Sequence, residues 1–362
     1  MDLTNYTDKD SHTHRVFPDA GPLVDRIHWI VVFVAMPTLC ILGVAGNSIS
    51  LVVLYKQGFK KSTNILLFAL AISDILFMIG AQGPAKLMYE WGRGGLWFPE
   101  REARVLYYFY HVFDYINWTA GPMSMGLPIL ITAERFVAVF FPLKFHTIVT
   151  RRRTLVSVIV LIVFTYLPQI YIRFWFRFDY VWDPKYNASV GLSVRTDLYY
   201  DQQYLSWLLG HFYAAIGYFV IIVGTGTLAI GIRISLAAAQ RKRMMAGKAM
   251  KGEPGGAASS HANVTHGNIR APSRTTKTLL ALCVFYTISC LFVAMPTFFP
   301  EISVWPLFTL NPNFRSMEVF MYQLAKLDLC VNASCNFVIY VAMNKNFRQT
   351  FFDIFKRKKS HS

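Results

Sequence analysis

The sequence predicts an all-α membrane protein: a seven-transmembrane helix bundle followed by a short cytoplasmic amphipathic helix. Three observations carry this. Of the 362 residues, 54% are hydrophobic and only 15% charged, whereas a soluble domain carries about 25% charged residues. The apolar residues are gathered into long blocks, and crossing a hydrocarbon core of ~30 Å takes roughly 20 apolar helical residues. Many of the basic residues behind the net charge of +16 sit beside the ends of those blocks, where the positive-inside rule puts cytoplasmic loops. That placement, with no basic patch on a soluble face, excludes nucleic acid as a partner.

The elements follow in order. Residues 1–28 are polar and rich in His and Asp, with an Asn5-Tyr6-Thr7 glycosylation pattern, and are expected to be a disordered extracellular segment. No charged-then-apolar leader precedes the first block, so that block is expected to serve as its own insertion signal. The membrane portion, 29–343, then holds seven spans. The first covers Trp29–Tyr55 without a charge, and the second Asn64–Tyr89, with the acid Asp74 near its middle. The third covers Arg104–Phe140, polar in its first half, with Pro122 and Pro128 expected to kink it. Thr154–Phe176, Tyr204–Ile234, Thr276–Pro300 and Ser316–Met343 complete the set. Between the fifth and sixth lies 236–275, a basic stretch rich in Gly, Ala and Ser that reads as a flexible cytoplasmic loop.

In the tail, 344–362, Phe347, Phe351, Phe352 and Phe355 fall on one helical face ahead of Lys356-Arg357-Lys358-Lys359. Such a helix is expected to lie in the lipid headgroup plane. The clusters Lys56/Lys60/Lys61, Arg151-Arg152-Arg153 and Arg241-Lys242-Arg243 share its side. That side is therefore cytoplasmic, which places the N-terminus and the Asn187-Ala188-Ser189 glycosylation pattern outside, at the plasma membrane. All five cysteines, Cys40, Cys283, Cys290, Cys330 and Cys335, lie inside apolar blocks, so no structural disulfide is expected.

An enzyme is not expected. The histidines His28, His111, His146 and His211 have no metal-type spacing, and no Gly-x-Ser-x-Gly or His-Glu-x-x-His occurs. A transporter or channel is the alternative class, but there is no internal repeat, and the interiors of the first, fourth and fifth spans carry no charge.

Polar groups in hydrocarbon are costly and mark function or its scaffold. Asp74 is the lone acid of its span, with Ser124, Asn332, Asn336 and Asn47 at compatible depths. Two readings stand: a sodium site formed by Asp74, Ser124, Asn332 and Asn336, or a polar cluster satisfied by water. Glu134-Arg135-Phe136 closes the third span on its cytoplasmic side.

These motifs together carry a resemblance. Gly46-Asn47, Leu70-Ala71-Ile72-Ser73-Asp74, Glu134-Arg135-Phe136 with Pro142-Leu143, and Asn336-Phe337-Val338-Ile339-Tyr340 occur in that order, with Pro168 and Pro296. They resemble the signatures of rhodopsin-like (class A) G-protein-coupled receptors over roughly residues 29–356. Lys60-Lys61-Ser62-Thr63-Asn64 and the run Asn332 to Tyr340 look like invertebrate FMRFamide-type peptide receptors, and are similar to molluscan chemosensory receptors. The chain departs from the family pattern at Val158, Ala294, Gly217, Thr225 and Phe337, and lacks the cysteines that tie the second extracellular loop to the third span. That loop, about 177–203, is expected to be held by packing alone.

The resemblance implies a receptor for an extracellular neuropeptide or small chemosensory ligand that activates a heterotrimeric G protein. Arrestin, a receptor kinase and membrane lipid are further partners it implies, and no cofactor beyond the candidate sodium ion. Glu134, Arg135, Phe136, Asn336, Tyr340 and Pro296 would couple to the G protein, with the sixth span swinging outward about Pro296. The outer pocket is expected to use Asp114, Asn117, Trp118, His211, Tyr322, Gln323 and Lys326, with Lys86 and Gln82 joining from the second span. Asp114 is read as a partner for a ligand amine or guanidinium, and Lys326 for a carboxylate. The bland alternative pairs Asp114 with Lys326, or either with Asp328. Retinal binding is not expected, because Cys330 stands where the family's chromophore lysine would be.

Overall fold

A proline shapes the first helix. In this computed structural model, α1 (Pro22–Ile30) passes through a π turn, Val31–Ala35, into α2 (Met36–Gln57). Pro37 has no N–H and its ring would crowd the carbonyl one turn back. The wider turn ahead of it lets the Met36 amide reach the Val31 carbonyl instead. The structure describes residues 22–202 apart from 93, 142, 185 and 186, then 204, 205, 208, 209, 212, 226, 240, 284–289 and 314–359. Most of the expected fifth and sixth spans, with His211 and Pro296, lies outside the described residues, as do Asn5 and the side chain of Arg135.

The second span is not continuous. α3 (Ser62–Ala81) stops at Gln82–Gly83, and α4 (Pro84–Trp91) restarts with proline in its first turn, where a missing N–H costs nothing. α5 (Glu100–Phe140) is continuous over 41 residues, with Pro122 and Pro128 inside it. At 1.5 Å per residue it is roughly 60 Å long, about twice the hydrocarbon thickness, so one end projects well beyond it. α3 and α5 touch backbone to backbone at Gly80, where a Cβ would stand 2.5 Å from the Asn117 nitrogen.

After α6 (Phe145–Ile148), α7 (Arg151–Ile172) is opened by Thr150, whose hydroxyl accepts from the Arg153 amide at 3.3 Å. The α-helical part of the fourth span thus ends at Ile172, four residues before the expected Phe176. A 3₁₀ turn, Arg173–Trp175, leads into β1 (Phe176–Asp183), paired antiparallel with β2 (Ala188–Arg195). The strand was legible after the fact: Phe176, Phe178, Tyr180 and Trp182 alternate with Arg177, Asp179 and Val181. Asn187, of the glycosylation pattern, takes a positive φ of 49° beside the hairpin turn.

α8 (Asp197–Asp201), α9 (Phe314–Met343) and α10 (Lys345–Lys359) complete the described elements. Four helical stretches among the described residues are long and apolar enough to cross a membrane: Pro22–Gln57, Ser62–Trp91, Arg151–Trp175 and Tyr322–Met343. α7 exposes Leu155, Ile159, Val163 and Leu167, as a helix facing lipid does.

Two apolar clusters fill the bundle. One gathers Met36, Phe77, Met78, Ala120 and Cys330. The other gathers Leu66, Leu70, Leu127, Ile131, Tyr286 and Tyr340, and takes in Phe347 from α10. The phenylalanine face of α10 therefore splits, for Phe347 is buried and Phe351 packs beside it while Phe352 is exposed. Cys40, Cys330 and Cys335 are free thiols, the first two 3.7 Å apart between α2 and α9.

Candidate functional site

Three polar stations lie along α5. At the outer one the α3–α4 break brings Lys86 inward. Its ammonium donates to Asp114 Oδ1 at 2.7 Å, and Arg173 Nη1 donates to Oδ2 at 2.7 Å. Both carboxylate oxygens are thus occupied by cations, and Lys86 is almost wholly buried. The alternative reading, in which Asp114 pairs with Lys326 or Asp328, is thereby corrected. Arg173, at the foot of the hairpin, also donates to Gln169 at 3.4 Å and lies 5.9 Å from the Phe176 ring. Geometry explains the choice: the 3₁₀ turn after α7 aims Arg173 at α5.

Lys326 is buried, at 5% exposure, and its ammonium lies 5.3 Å from the centre of the Tyr322 ring. Tyr322 in turn stacks on the half-exposed Trp118 with ring centres 5.9 Å apart. Asn117 is buried, and Gln323 donates to Glu90 Oε1 at 3.0 Å. Asp328 faces the other way, accepting from Ser289 at 3.4 Å.

The β1–β2 hairpin is held by more than packing. Leu96, in the connection between α4 and α5, forms a two-way backbone bridge with Gly191: 2.8 Å from the Leu96 amide and 3.0 Å from the Gly191 amide. Only glycine fits there, because a Cβ on residue 191 would stand 2.9 Å from both Ala103 Cβ and Phe178 Cε2. Around the bridge, Leu96, Ala103 and Tyr107 form a small core that Phe178 and Tyr180 cover. Tyr180 donates its hydroxyl to the Phe98 carbonyl at 3.1 Å, and His111 meets Ser193 at 3.2 Å.

At the middle station Asp74 is fully buried. Ser124 donates to its Oδ1, and Asn336 Nδ2 to its Oδ2 at 2.6 Å. The Asn336 amide also contacts Tyr286 Oη at 2.9 Å. Asn47 stands apart, donating to the carbonyls of Gly43 and Ala333. Asn332 is buried but does not bond to Asp74, and both atoms of its amide lack a partner. The Oδ1 of Asn336 is likewise buried without one. Carboxylate, hydroxyl and two idle amide oxygens form a donor set suited to a hard cation.

At the inner station Glu134 is buried and accepts from the Thr63 hydroxyl, which ties the start of α3 to the end of α5. Phe136 is exposed, and Tyr340 is buried against Phe347 with ring centres 5.5 Å apart. Arg173, Glu90, Tyr286 and Thr63 are the residues the sequence reading did not assign to a site.

Residues 46–340 match the family model described as 7 transmembrane receptor (rhodopsin family). The chain is 22% identical over 98% of its length to a galanin-like G-protein coupled receptor, npr-9, of Caenorhabditis elegans, spanning 80% of that receptor. It is 23% identical over 97% of its length to the FMRFamide receptor of Drosophila melanogaster, of which it spans 59%. Identity to the human neuromedin-U receptor 1 is 26%, over 86% of this chain and 70% of that one. All of these are receptors, and none supports a transporter or channel. The chain belongs to the rhodopsin family of seven-transmembrane receptors.

Proposed function

We propose that this receptor converts an extracellular neuropeptide, or a small chemosensory ligand, into activation of a heterotrimeric G protein at the plasma membrane. The chain crosses the bilayer seven times with its N-terminus outside, glycosylated at Asn5 and Asn187. α10 lies along the cytoplasmic lipid headgroups, and arrestin and a receptor kinase act on the same inner face. Peptide ligands are favoured because the FMRFamide and neuromedin-U receptors are among its relatives. The pocket comprises Asn117, Trp118, Tyr322 and Lys326, with Asp114, Gln323 and His211.

One observation carries the reading. Asp74, Ser124 and Asn336 join α3, α5 and α9, and through Tyr286 they reach the 284–289 helix. A buried junction of this kind has discrete arrangements and can be biased from outside. Asp74, Ser124, Asn332 and Asn336 would hold a sodium ion there, supported by the idle amide oxygens of the last two. The ion would supply a positive charge that rigidifies the junction. At the inner face Glu134 restrains Arg135 by a charge-assisted hydrogen bond. Ligand binding favours a state in which the sixth span swings out about Pro296, freeing Arg135 for the G protein while Tyr340 turns inward.

Two measurements test this. Guanine-nucleotide exchange on G protein beside full-length receptor in nanodiscs should exceed that of an Arg135→Ala control even without ligand. Arg274 and Lys277 lie near the inner end of the sixth span with no acid to hold Arg135 there, so the restraint is loose. Equal exchange by both proteins would sink the reading. Epitope tags at Met1 and Ser362 should report opposite faces of the membrane.

A further inference from the structure

Within that pocket the charge of Asp114 is already taken up by the protein itself. Each of its oxygens is already 2.7 Å from a cation, Lys86 on one side and Arg173 on the other. A ligand amine would have to displace a buried partner and leave that cation uncompensated. Lys326 is the opposite case. It is 95% buried, and the contacts of its ammonium among the described residues reduce to the face of the Tyr322 ring. Glu90, another nearby acid, accepts from Gln323 through Oε1 and keeps a buried, unpartnered Oε2, and it forms no ion pair with Lys326. Among the described residues the outer station thus holds three cations, Lys86, Arg173 and Lys326, against the carboxylates of Asp114 and Glu90.

Resting on the receptor reading above, we infer that the ligand is a monoanion whose carboxylate pairs with Lys326, beside an aromatic group packed on the Trp118–Tyr322 stack. A buried ammonium in no ion-pair contact among the described residues is costly in a low-dielectric site, and a carboxylate offers it a charge-assisted hydrogen bond. Among the described residues the surplus is one charge, which a single carboxylate balances and a phosphate would overshoot. The adjoining surface is aromatic, so an acid bearing a ring fits better than an aliphatic one. The acid is either the free C-terminus of a peptide or a small carboxylic acid.

Three probes test this on the full-length receptor in lipid nanodiscs, by ligand-observed NMR titration: N-acetylphenylalanine, its C-terminal amide, and 3-phenylpropionate. The acid should bind at least about tenfold more tightly than the amide, the worth of one charge-assisted contact. The preference should vanish in Lys326→Met and in Lys326→Gln, two variants in case one does not fold, and persist in Lys326→Arg. Tighter binding of N-acetylphenylalanine than of 3-phenylpropionate assigns the acid to a peptide terminus; equal binding assigns it to a small molecule. An amide that binds as well as the acid, a preference that survives loss of the Lys326 charge, or no binding by any probe overturns the inference. Exchange measured on the same nanodiscs keeps the two claims apart. Acid preference lost with the Arg135 effect intact sinks only the ligand assignment, and the reverse sinks only the receptor reading.

Discussion

Two buried aspartates are satisfied in opposite ways. Asp114 meets two full positive charges, from Lys86 and Arg173. Among the described residues Asp74 meets neutral donors, the Ser124 hydroxyl and the Asn336 amide. An ion cluster in a low dielectric is hard to rearrange, because moving one member strands the others. A carboxylate held by dipoles can exchange partners at a smaller cost. The outer cluster is thus an anchor that fastens the hairpin to α5, while the middle one is built to change.

The sharpest way to break this contrast is to neutralise each acid with its isostere. Asp114→Asn leaves two buried cations facing one neutral amide and should cost about 3–5 kcal/mol of stability. Asp74→Asn keeps hydrogen-bonding capacity toward Ser124 and Asn336 and should cost about 1 kcal/mol. Thermal denaturation of the purified receptor compares the two directly. A larger loss for Asp74→Asn would reverse the assignment of anchor and switch.

The hairpin gives a second, smaller test of the anchor. Gly191→Val puts side-chain atoms where Ala103 and Phe178 already stand 2.9 Å from the missing Cβ. Overpacking of this kind costs about 1–3 kcal/mol. The backbone bridge to Leu96 should open, so hydrogen exchange at the Leu96 and Gly191 amides should rise while the amides around Asp74 keep their protection. Unchanged exchange at Leu96 would mean that packing alone secures the loop.

How far each station was legible follows from the kind of signal it leaves. Asp74, Ser124 and Asn336 announce themselves as polar residues in apolar blocks, and three of the four proposed sodium ligands cluster through Asn336 and Asp74 without surprise. Asn332 does not bond to Asp74, since sharing a depth on α9 does not fix which way an amide points. The outer station was half legible. Asp114 and Lys326 were visible as charges, but their partners depend on two breaks in helical continuity, at Gln82–Gly83 and after Ile172, which a hydropathy reading smooths over. Arg173 did leave a trace: it is a cation at the outer end of a span, where the positive-inside rule expects few. The hairpin's alternating aromatics were readable too, but they follow directly on an apolar helix and were absorbed into it. Tyr286 carries no signal at all, because a tyrosine in an apolar span reads as packing.

The smallest expected effect lies at the inner station. Thr63 donates to Glu134, which fixes the orientation of a carboxylate next in sequence to Arg135. Thr63→Val preserves shape and removes the hydroxyl. One hydrogen bond is worth about 1 kcal/mol net, which corresponds to roughly a fivefold change in an equilibrium. On the proposed restraint of Arg135 by Glu134, a less firmly oriented carboxylate should hold the arginine less well, so ligand-free nucleotide exchange should rise by a few fold. The melting temperature should barely move, in contrast to Asp114→Asn, because no charge is stranded by the change. A fall in basal exchange would show that Thr63 competes with Arg135 for the same carboxylate, and that the hydroxyl belongs to the active arrangement of the inner face.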